Sequence, residues 1–340
     1  MSLSSLVGYA AKAPGGPLEP FTYEAPALGD QGVRVKVSHC GVCYSDVHAI
    51  DSRYVVFTFP MVPGHEIVGR VSEKGRAVSE LRVGDRVGIG WQGRSCMRCD
   101  WCLSGEEQLC LEVRKNGTWT PYGGFASSVT VDGRFAYPLP EEMPSEAAAV
   151  LMCAGIAVYS PLQAYAGEGS THVGVVGVGG LGHLAIQFAH AMGCEVTAIS
   201  SSPEKEREAF DFGADHFIVS GDEAALRRAE STFDLLLCSA HSGIDWDYSL
   251  FMLKRRGRLI LLGFPQVALD PIDLVVHELS ITGSFLGSRT RMREMLAFAQ
   301  EHRILPKVEL MPMSQVNEAI QKVRENQARY RIVLVNDMES

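Results

Sequence analysis

The chain has 340 residues, 46% of them hydrophobic and 21% charged, with a formal net charge of −9. That length suggests two domains with ample material for buried cores, and the acidic balance argues against a nucleic-acid or anionic-membrane surface. The opening MSLSSLVGYA has no basic, apolar, cleavable leader, and the longest apolar run, from Ala147, falls short of the ~20 residues a bilayer span needs. A cytoplasmic protein with reduced thiols is the expectation.

In chain order, the first part reads as β-rich. GVRVKVSHC, HEIVGRVSEKG, DRVGIG and FASSVTVDG are short β-branched runs broken by Gly and Asp. They alternate imperfectly, as in a compact barrel-like β domain. Within this part lie Cys43, in HCGVCYSDVH, and His65-Glu66, in PGHEIVG, and Cys153 follows later in LMCAGIA. Cys, His and Cys with a fourth, exchangeable position form a catalytic zinc pattern. Each residue alone says little, because a lone cysteine in an apolar helix is ordinarily just buried.

SCMRCDWCLSGEEQLC then places four of the nine cysteines close together, as Cys96-x2-Cys99-x2-Cys102-x7-Cys110. Disulfides would need an oxidising compartment and are typical of short secreted chains. A bacterial iron–sulfur run has a shorter last gap followed by proline, whereas Leu111 follows Cys110. Four thiolates around one zinc fit best. Such a site leaves no open coordination position, so this metal is expected to be structural, and the chemistry must lie elsewhere.

From Ser145, SEAAAVLMCAGIAVYSPLQAY has the small and apolar residues of a buried helix. After Gly169 come six strand-like runs: HVGVV, EVTAIS, HFIVS, FDLLLCSA, GRLILLGF and ELSITGSF. Helix-like segments such as LGHLAIQFAHAMG and PEKEREAFDFG separate the first four. Near-continuous apolar strands alternating with helices indicate a parallel sheet covered on both faces, and six strands are what a full doubly wound dinucleotide fold requires. The fold class is therefore α/β plus β.

The first of these strands runs into Gly177-Val178-Gly179-Gly180-Leu181-Gly182 and then a helix. A glycine-rich turn between strand and helix lets the backbone approach a pyrophosphate, which the free N–H groups of the helix N-terminus then hold. A tight turn with no ligand is the bland alternative. The next strand ends at Ser200, where an NAD-preferring site usually carries an acid for the ribose 2′-OH. Here Ser200, Ser201 and Ser202 stand instead, with Lys205 and Arg207 close by. That suits a 2′-phosphate and favours NADP. Ser202 before Pro203 also suits a helix N-cap, and Ser201 with Glu204 fits a capping box; capping and phosphate binding are compatible. The tail from about Ser288 returns to mixed helix and strand and ends in YRIVLV, which can rejoin the first domain.

With GVCYSDVH, PMVPGHEIVGRV, the four-cysteine lobe, LMCAGIAVYSPL, GVVGVGGLGH, the serine triplet, TGSFLGS and YRIVLV in place, the chain resembles the zinc-dependent medium-chain alcohol dehydrogenases over essentially its whole length. Within them it is most similar to the cinnamyl alcohol dehydrogenase branch. The resemblance implies a GroES-like catalytic domain over residues 1–152 and 288–340, with a structural zinc lobe at about 91–112, and a Rossmann NADP-binding domain over 153–287. It makes Cys43, His65 and Cys153 catalytic zinc ligands, with Glu66 able to act as a fourth. It makes Asp46 the partner that orients His65, and it assigns the structural zinc to Cys96, Cys99, Cys102 and Cys110. Ser45 would hydrogen-bond the substrate oxygen and relay its proton through the cofactor ribose toward His48. Gly177 to Gly182 would contact the pyrophosphate, with Arg331 reaching it from the tail and Tyr44 nearby. Gly263, Ser284 and Phe285 would lie near the nicotinamide or the subunit contact. Tyr44 and Ala157 stand where the branch often has His and Thr, and the segment between Cys110 and Gly123 looks short. Cys40, Cys194 and Cys238 read as buried hydrophobes, and His172 and His183 as packing or capping residues.

The implied reaction is hydride transfer between NADPH and an aldehyde polarised by zinc. Trp91, Trp119, Tyr54 and Phe57 are candidates to line an aromatic or medium-length apolar pocket, unless two or more of them fill the β-domain core. A zinc-free quinone reductase on the same fold and a non-enzymatic NADP-binding sensor are the rivals. The first lacks the Cys43, His65 and Cys153 set, and the second has no use for a proton relay. The family suggests a homodimer, with the cofactor-domain edge near Ile281–Phe285 as its interface.

Overall fold

The computed structural model describes residues 5–54, 57–112, 117–119, 122–166, 171–240 and 243–338. In chain order the strands are β1 (Ser5–Ala11), β2 (Leu18–Glu24), β3 (Gly32–Val42), β4 (Glu66–Lys74), β5 (Arg86–Ile89), β6 (Ser128–Asp132), β7 (Ala136–Pro138), β8 (His172–Val176), β9 (Glu195–Ser200), β10 (His216–Val219), β11 (Phe233–Cys238), β12 (Leu253–Leu261), β13 (Ser280–Gly283), β14 (Val308–Pro312) and β15 (Arg331–Val335). They fall into two units, Met1–Cys153 with Gly287–Glu294 and Pro306–Ser340, and Ala154–Leu286 with Met295–Leu305.

The first unit is built on a sheet of order β14-β15-β3-β4-β5-β7, with β6 also paired to β3. The alternation in β3 buries Val33, Val35 and Val37, as the two-residue period of a strand dictates. The tail does rejoin this unit: β15 runs antiparallel to β3, Val333 opposite Gly41 and Leu334 opposite Cys40. Every β15 residue from Arg331 to Leu334 is buried. The β1–β2 hairpin forms a separate antiparallel pair.

The second unit is a six-stranded sheet of order β10-β9-β8-β11-β12-β13, and every pairing in it is parallel. The order reverses between β8 and β11. In such sheets a ligand sits beyond the carboxyl ends of the strands at that reversal.

The helix Ser145–Tyr165 runs 21 residues, longer than the apolar run suggests, so by length and composition it can cross a membrane. However, 78% of its apolar window is buried inside the protein, which makes it a core helix. The unit boundary falls within it, after Cys153, where no linker composition marks the change. The sequence places the cofactor domain over 153–287 and the catalytic tail over 288–340, whereas the second unit begins at Ala154. Residues 295–305 pack with the second unit instead, where Phe298 lies 5.6 Å from Tyr159 and 6.1 Å from Phe188, ring to ring.

Candidate active site

Cys43 is the N-cap of the helix Tyr44–Ile50. Its backbone N–H donates to Asp46 Oδ2 at 3.0 Å, and its sulfur accepts from the Ser45 N–H at 3.4 Å. Asp46, fully buried, turns its other oxygen to three donors: Gly64 N–H at 2.9 Å, His65 Nδ1 at 3.0 Å and Trp119 Nε1 at 2.9 Å. The carboxylate thus accepts a hydrogen bond from Nδ1–H of His65 and turns Nε2 toward the ligand position. Nε2 lies 3.3 Å from Cys153 Sγ. Cys153 sits in a π-turn, Leu151–Gly155, that interrupts the long helix, a distortion common where a helix carries a functional group.

The ligand atoms of Cys43, His65, Glu66 and Cys153 all lie within 4.8 Å of one another. His65 and Glu66 are fully buried, while Cys43 and Cys153 keep 9% and 8% of their surface. Glu66 leads β4 opposite Gly41 of β3. A Cβ at position 41 would lie 2.0 Å from Glu66 Oε2, so only glycine leaves room for that carboxylate. Arg331, on β15, donates to Glu66 Oε1, and Glu66 Oε2 has no protein partner.

Burial pushes the Glu66 carboxyl up to about 7, with the Arg331 guanidinium partly offsetting it. The hydrogen bond shared with Cys153 holds the Cys43 thiol well below its ordinary range and pushes Cys153 up. Burial works against a charged His65, but the Asp46 carboxylate outweighs it and raises the imidazole well above its ordinary value. Two thiols, an imidazole nitrogen and an unpartnered carboxylate oxygen around one point fit a zinc ion, and the carboxylate supplies the exchangeable fourth donor.

The second cluster fits a closed site. Cys96, Cys99, Cys102 and Cys110 bring their sulfurs within 4.8 Å of one another, and all four are free thiols. Cys96 and Cys102 are 3.8 Å apart and Cys99 and Cys102 3.5 Å, far beyond disulfide bonding. A tetrahedron with ~2.3 Å zinc–sulfur bonds has edges of roughly 3.8 Å. Backbone N–H groups of Leu111 and Cys102 hold the Cys99 thiol down to about 6. Burial pushes Cys102 up to about 12.

In the second unit the glycine turn follows β8 at the reversal of strand order. Gly177 has φ +93°, and a Cβ at Gly182 would lie 1.8 Å from Gly177 O, so the turn closes only with glycine at both places. A Cβ at Gly179 would meet nothing within 4 Å, which leaves that face of the turn open. Gly182 starts the helix Gly182–Ala191, and the His183 ring caps the Gly179 carbonyl from Nδ1 at 2.9 Å. Ser200 ends β9, and Lys205 Nζ donates to Val178 O at 2.8 Å, which brings the ammonium to the turn. Ser202 is the N-cap of the following turn, but its side chain makes no capping bond, and the Ser201–Glu204 capping box does not form. Gly263, Ser284 and Phe285 lie just past the carboxyl ends of β12 and β13.

Ser45 and His48 lie three residues apart on the Tyr44–Ile50 helix, and the His48 ring stands edge-on between Tyr44 and Tyr54, 4.8 Å from each. Of the pocket candidates, Trp119 is buried in the core. Phe57 and Trp91 pack against the same core, their rings 5.7 and 6.3 Å from Trp119, and Tyr54 is exposed. Arg331, which the family resemblance makes a pyrophosphate contact, is 7% exposed and donates to Glu66 within the first unit. Cys40, Cys194 and Cys238 are buried. Three partners had no sequence signal: the Glu66–Arg331 pair, Trp119 on Asp46, and Ser239, whose hydroxyl donates to Gly177 O at 2.9 Å.

A zinc-type ligand set in a β unit and a doubly wound dinucleotide unit in the same chain define a dehydrogenase of the zinc-dependent medium-chain class. Residues 29–141 match the model of the alcohol dehydrogenase GroES-like domain and residues 180–301 that of the zinc-binding dehydrogenases. A probable cinnamyl alcohol dehydrogenase from Arabidopsis thaliana is 38% identical over 96% of this chain and 93% of its own. The solved cinnamyl alcohol dehydrogenase of Sorghum bicolor superposes with a TM-score of 0.92 at 36% identity, over 99% of this chain and 100% of its own. That of Helicobacter pylori, solved with NADP(H), gives 0.89 at 29% identity over 98% of each. The chain belongs to the zinc-dependent medium-chain dehydrogenases and is similar over its full length to their cinnamyl alcohol dehydrogenase branch.

Proposed function

We propose that the chain reduces aldehydes with NADPH, and oxidises the corresponding alcohols in the reverse direction. Its substrate is aromatic or of medium length and apolar. The observation that carries this reading is the convergence of Cys43, His65, Glu66 and Cys153, with His65 oriented by a fully buried Asp46. These residues would hold the catalytic zinc, which supplies Lewis-acid polarisation of a carbonyl oxygen when bound.

The chain's own groups do the rest. Ser45, beside Cys43 at the start of its helix, hydrogen-bonds the substrate oxygen, and His48 one turn on exchanges the proton with solvent. Trp91 and Phe57, partly buried against the core, are the remaining candidates for the apolar wall. The glycine turn accepts the cofactor pyrophosphate on its open face. Ser200, Ser201 and Ser202 with Lys205 favour a 2′-phosphate, since no acid stands at the end of β9 and the ammonium already lies at the turn. Edge strand β13, bonded on one side to β12, pairs with a second copy in a homodimer. Nine free thiols suit the reducing cytoplasm.

The test is the initial rate of cinnamaldehyde reduction with NADPH and with NADH at equal concentrations. A strong NADPH preference is expected. Turnover with NADH alone would keep the zinc chemistry and reduce the serine–lysine segment to a helix start. No rate with either would overturn the substrate assignment.

A further inference from the structure

We propose that Trp119 is a positioning residue for the metal centre, acting through Asp46. The inference rests on the reading of Cys43, His65 and Cys153 as zinc ligands. Trp119 Nε1 donates to Asp46 Oδ1 at 2.9 Å, the same oxygen that holds His65 Nδ1 at 3.0 Å. The other donors to this carboxylate are Cys43 N–H at 3.0 Å and Gly64 N–H at 2.9 Å. Both belong to the segments that carry the ligands and move with them. Among the described residues Trp119 is the one donor from elsewhere in the fold.

Trp119 is itself well anchored. Its neighbour Thr118 donates from its hydroxyl to Gly90 O at 2.5 Å and from its backbone to Trp91 O at 2.8 Å, which fixes the segment at the end of β5. The indole is 8% exposed, stands edge-on to the His65 ring at 4.9 Å, and is braced by Phe57 and Trp91. An indole N–H can only donate, and a buried carboxylate needs donors. The bond therefore ties the Asp46–His65 pair to a fixed point. Without it, carboxylate and imidazole can shift as a unit, and the ligand loses its set direction. Outer partners of metal ligands typically influence metal affinity by about 10–100-fold. Trp119 acts one bond further out, so the low end applies.

The experiment measures metal content and the rate of zinc transfer to a coloured chelator in the full-length protein, wild type against Trp119→Phe, with Trp91→Phe as a control that touches the same aromatic cluster but not Asp46. The wild type is expected to hold two metals. Trp119→Phe is expected to release one of them roughly tenfold faster, leave the four-thiolate metal unchanged, and alter the visible bands of the cobalt-substituted centre. Trp91→Phe should release metal at the wild-type rate and keep the wild-type cobalt bands. Equal release and unchanged cobalt bands in Trp119→Phe would overturn the proposal alone, as would equal acceleration in Trp91→Phe, which points to packing. A wild type holding only the four-thiolate metal would overturn the proposal and the zinc-centre reading together. Should Trp119→Phe misfold, benzothienylalanine at position 119 keeps the shape of tryptophan while replacing N–H with sulfur, and the same rates decide.

Discussion

Arg331→Met would leave a buried carboxylate without its cation. Glu66 is fully buried and Arg331 is 7% exposed, so water cannot take the place of the guanidinium. Removing one member of a buried pair costs about 3–5 kcal/mol, because the remaining carboxylate must either stay charged in the interior or take up a proton there. Arg331 Nε is itself buried without a partner, so the arginine's own desolvation is incompletely recovered, which favours the lower end, about 3 kcal/mol. At about 1.4 kcal/mol per decade, the unfolding equilibrium shifts by roughly two decades. Urea unfolding followed by tryptophan fluorescence reads this directly, since Trp91, Trp101 and Trp119 lie in the first unit and only Trp246 in the second. The partner variant separates charge from packing. Glu66→Gln with Arg331→Met leaves no unpaired charge and should lose clearly less than Arg331→Met alone. A loss below about 1 kcal/mol for the single variant, or a double variant just as unstable, would refute the reasoning.

Three further outcomes follow from the same geometry. Gly182→Ala places a Cβ 1.8 Å from Gly177 O, so the turn must open; NADPH affinity should fall at least about tenfold by fluorescence titration, with the first unit's unfolding unchanged. Lys205→Ala removes a charge-assisted contact worth about 1.5–3 kcal/mol, so the NADPH Kd should rise roughly ten- to hundredfold while that for NADH stays put. An equal change for both cofactors would show that the lysine only supports the turn. Cys99→Ser should remove one metal by elemental analysis and expose Cys96–Cys110 to limited proteolysis, since a four-thiolate site holds its loop together.

Much of this was legible from the residues. The six parallel strands announced themselves because strands buried on both faces are nearly all apolar, as in FDLLLCSA and GRLILLGF. The four-cysteine lobe was legible from spacing alone. The catalytic ligands were only suggested by their residue types, because Cys43, His65 and Cys153 come from a helix cap, a strand entry and a π-turn, and the family resemblance was needed to assign them. Strands β1, β2, β7 and β14 carried no clean alternation and went unread; β7 spans three residues and Pro20 interrupts β2. The partners that set the site's electrostatics were invisible for a different reason. Arg331 and Glu66 are 265 residues apart, Trp119 and Asp46 73 apart, and tertiary pairing at that range leaves no local pattern.

The central claim is that Cys43, with His65 and Cys153, holds the metal on which turnover depends. The most direct measurement is the rate of NADPH-dependent cinnamaldehyde reduction by the Cys43→Ser protein, with NADPH binding checked in the same sample. The account predicts that turnover is abolished, that one of the two metals is lost, and that NADPH binds as in the wild type, because the glycine turn lies in the other unit. Near-normal turnover by Cys43→Ser would contradict it.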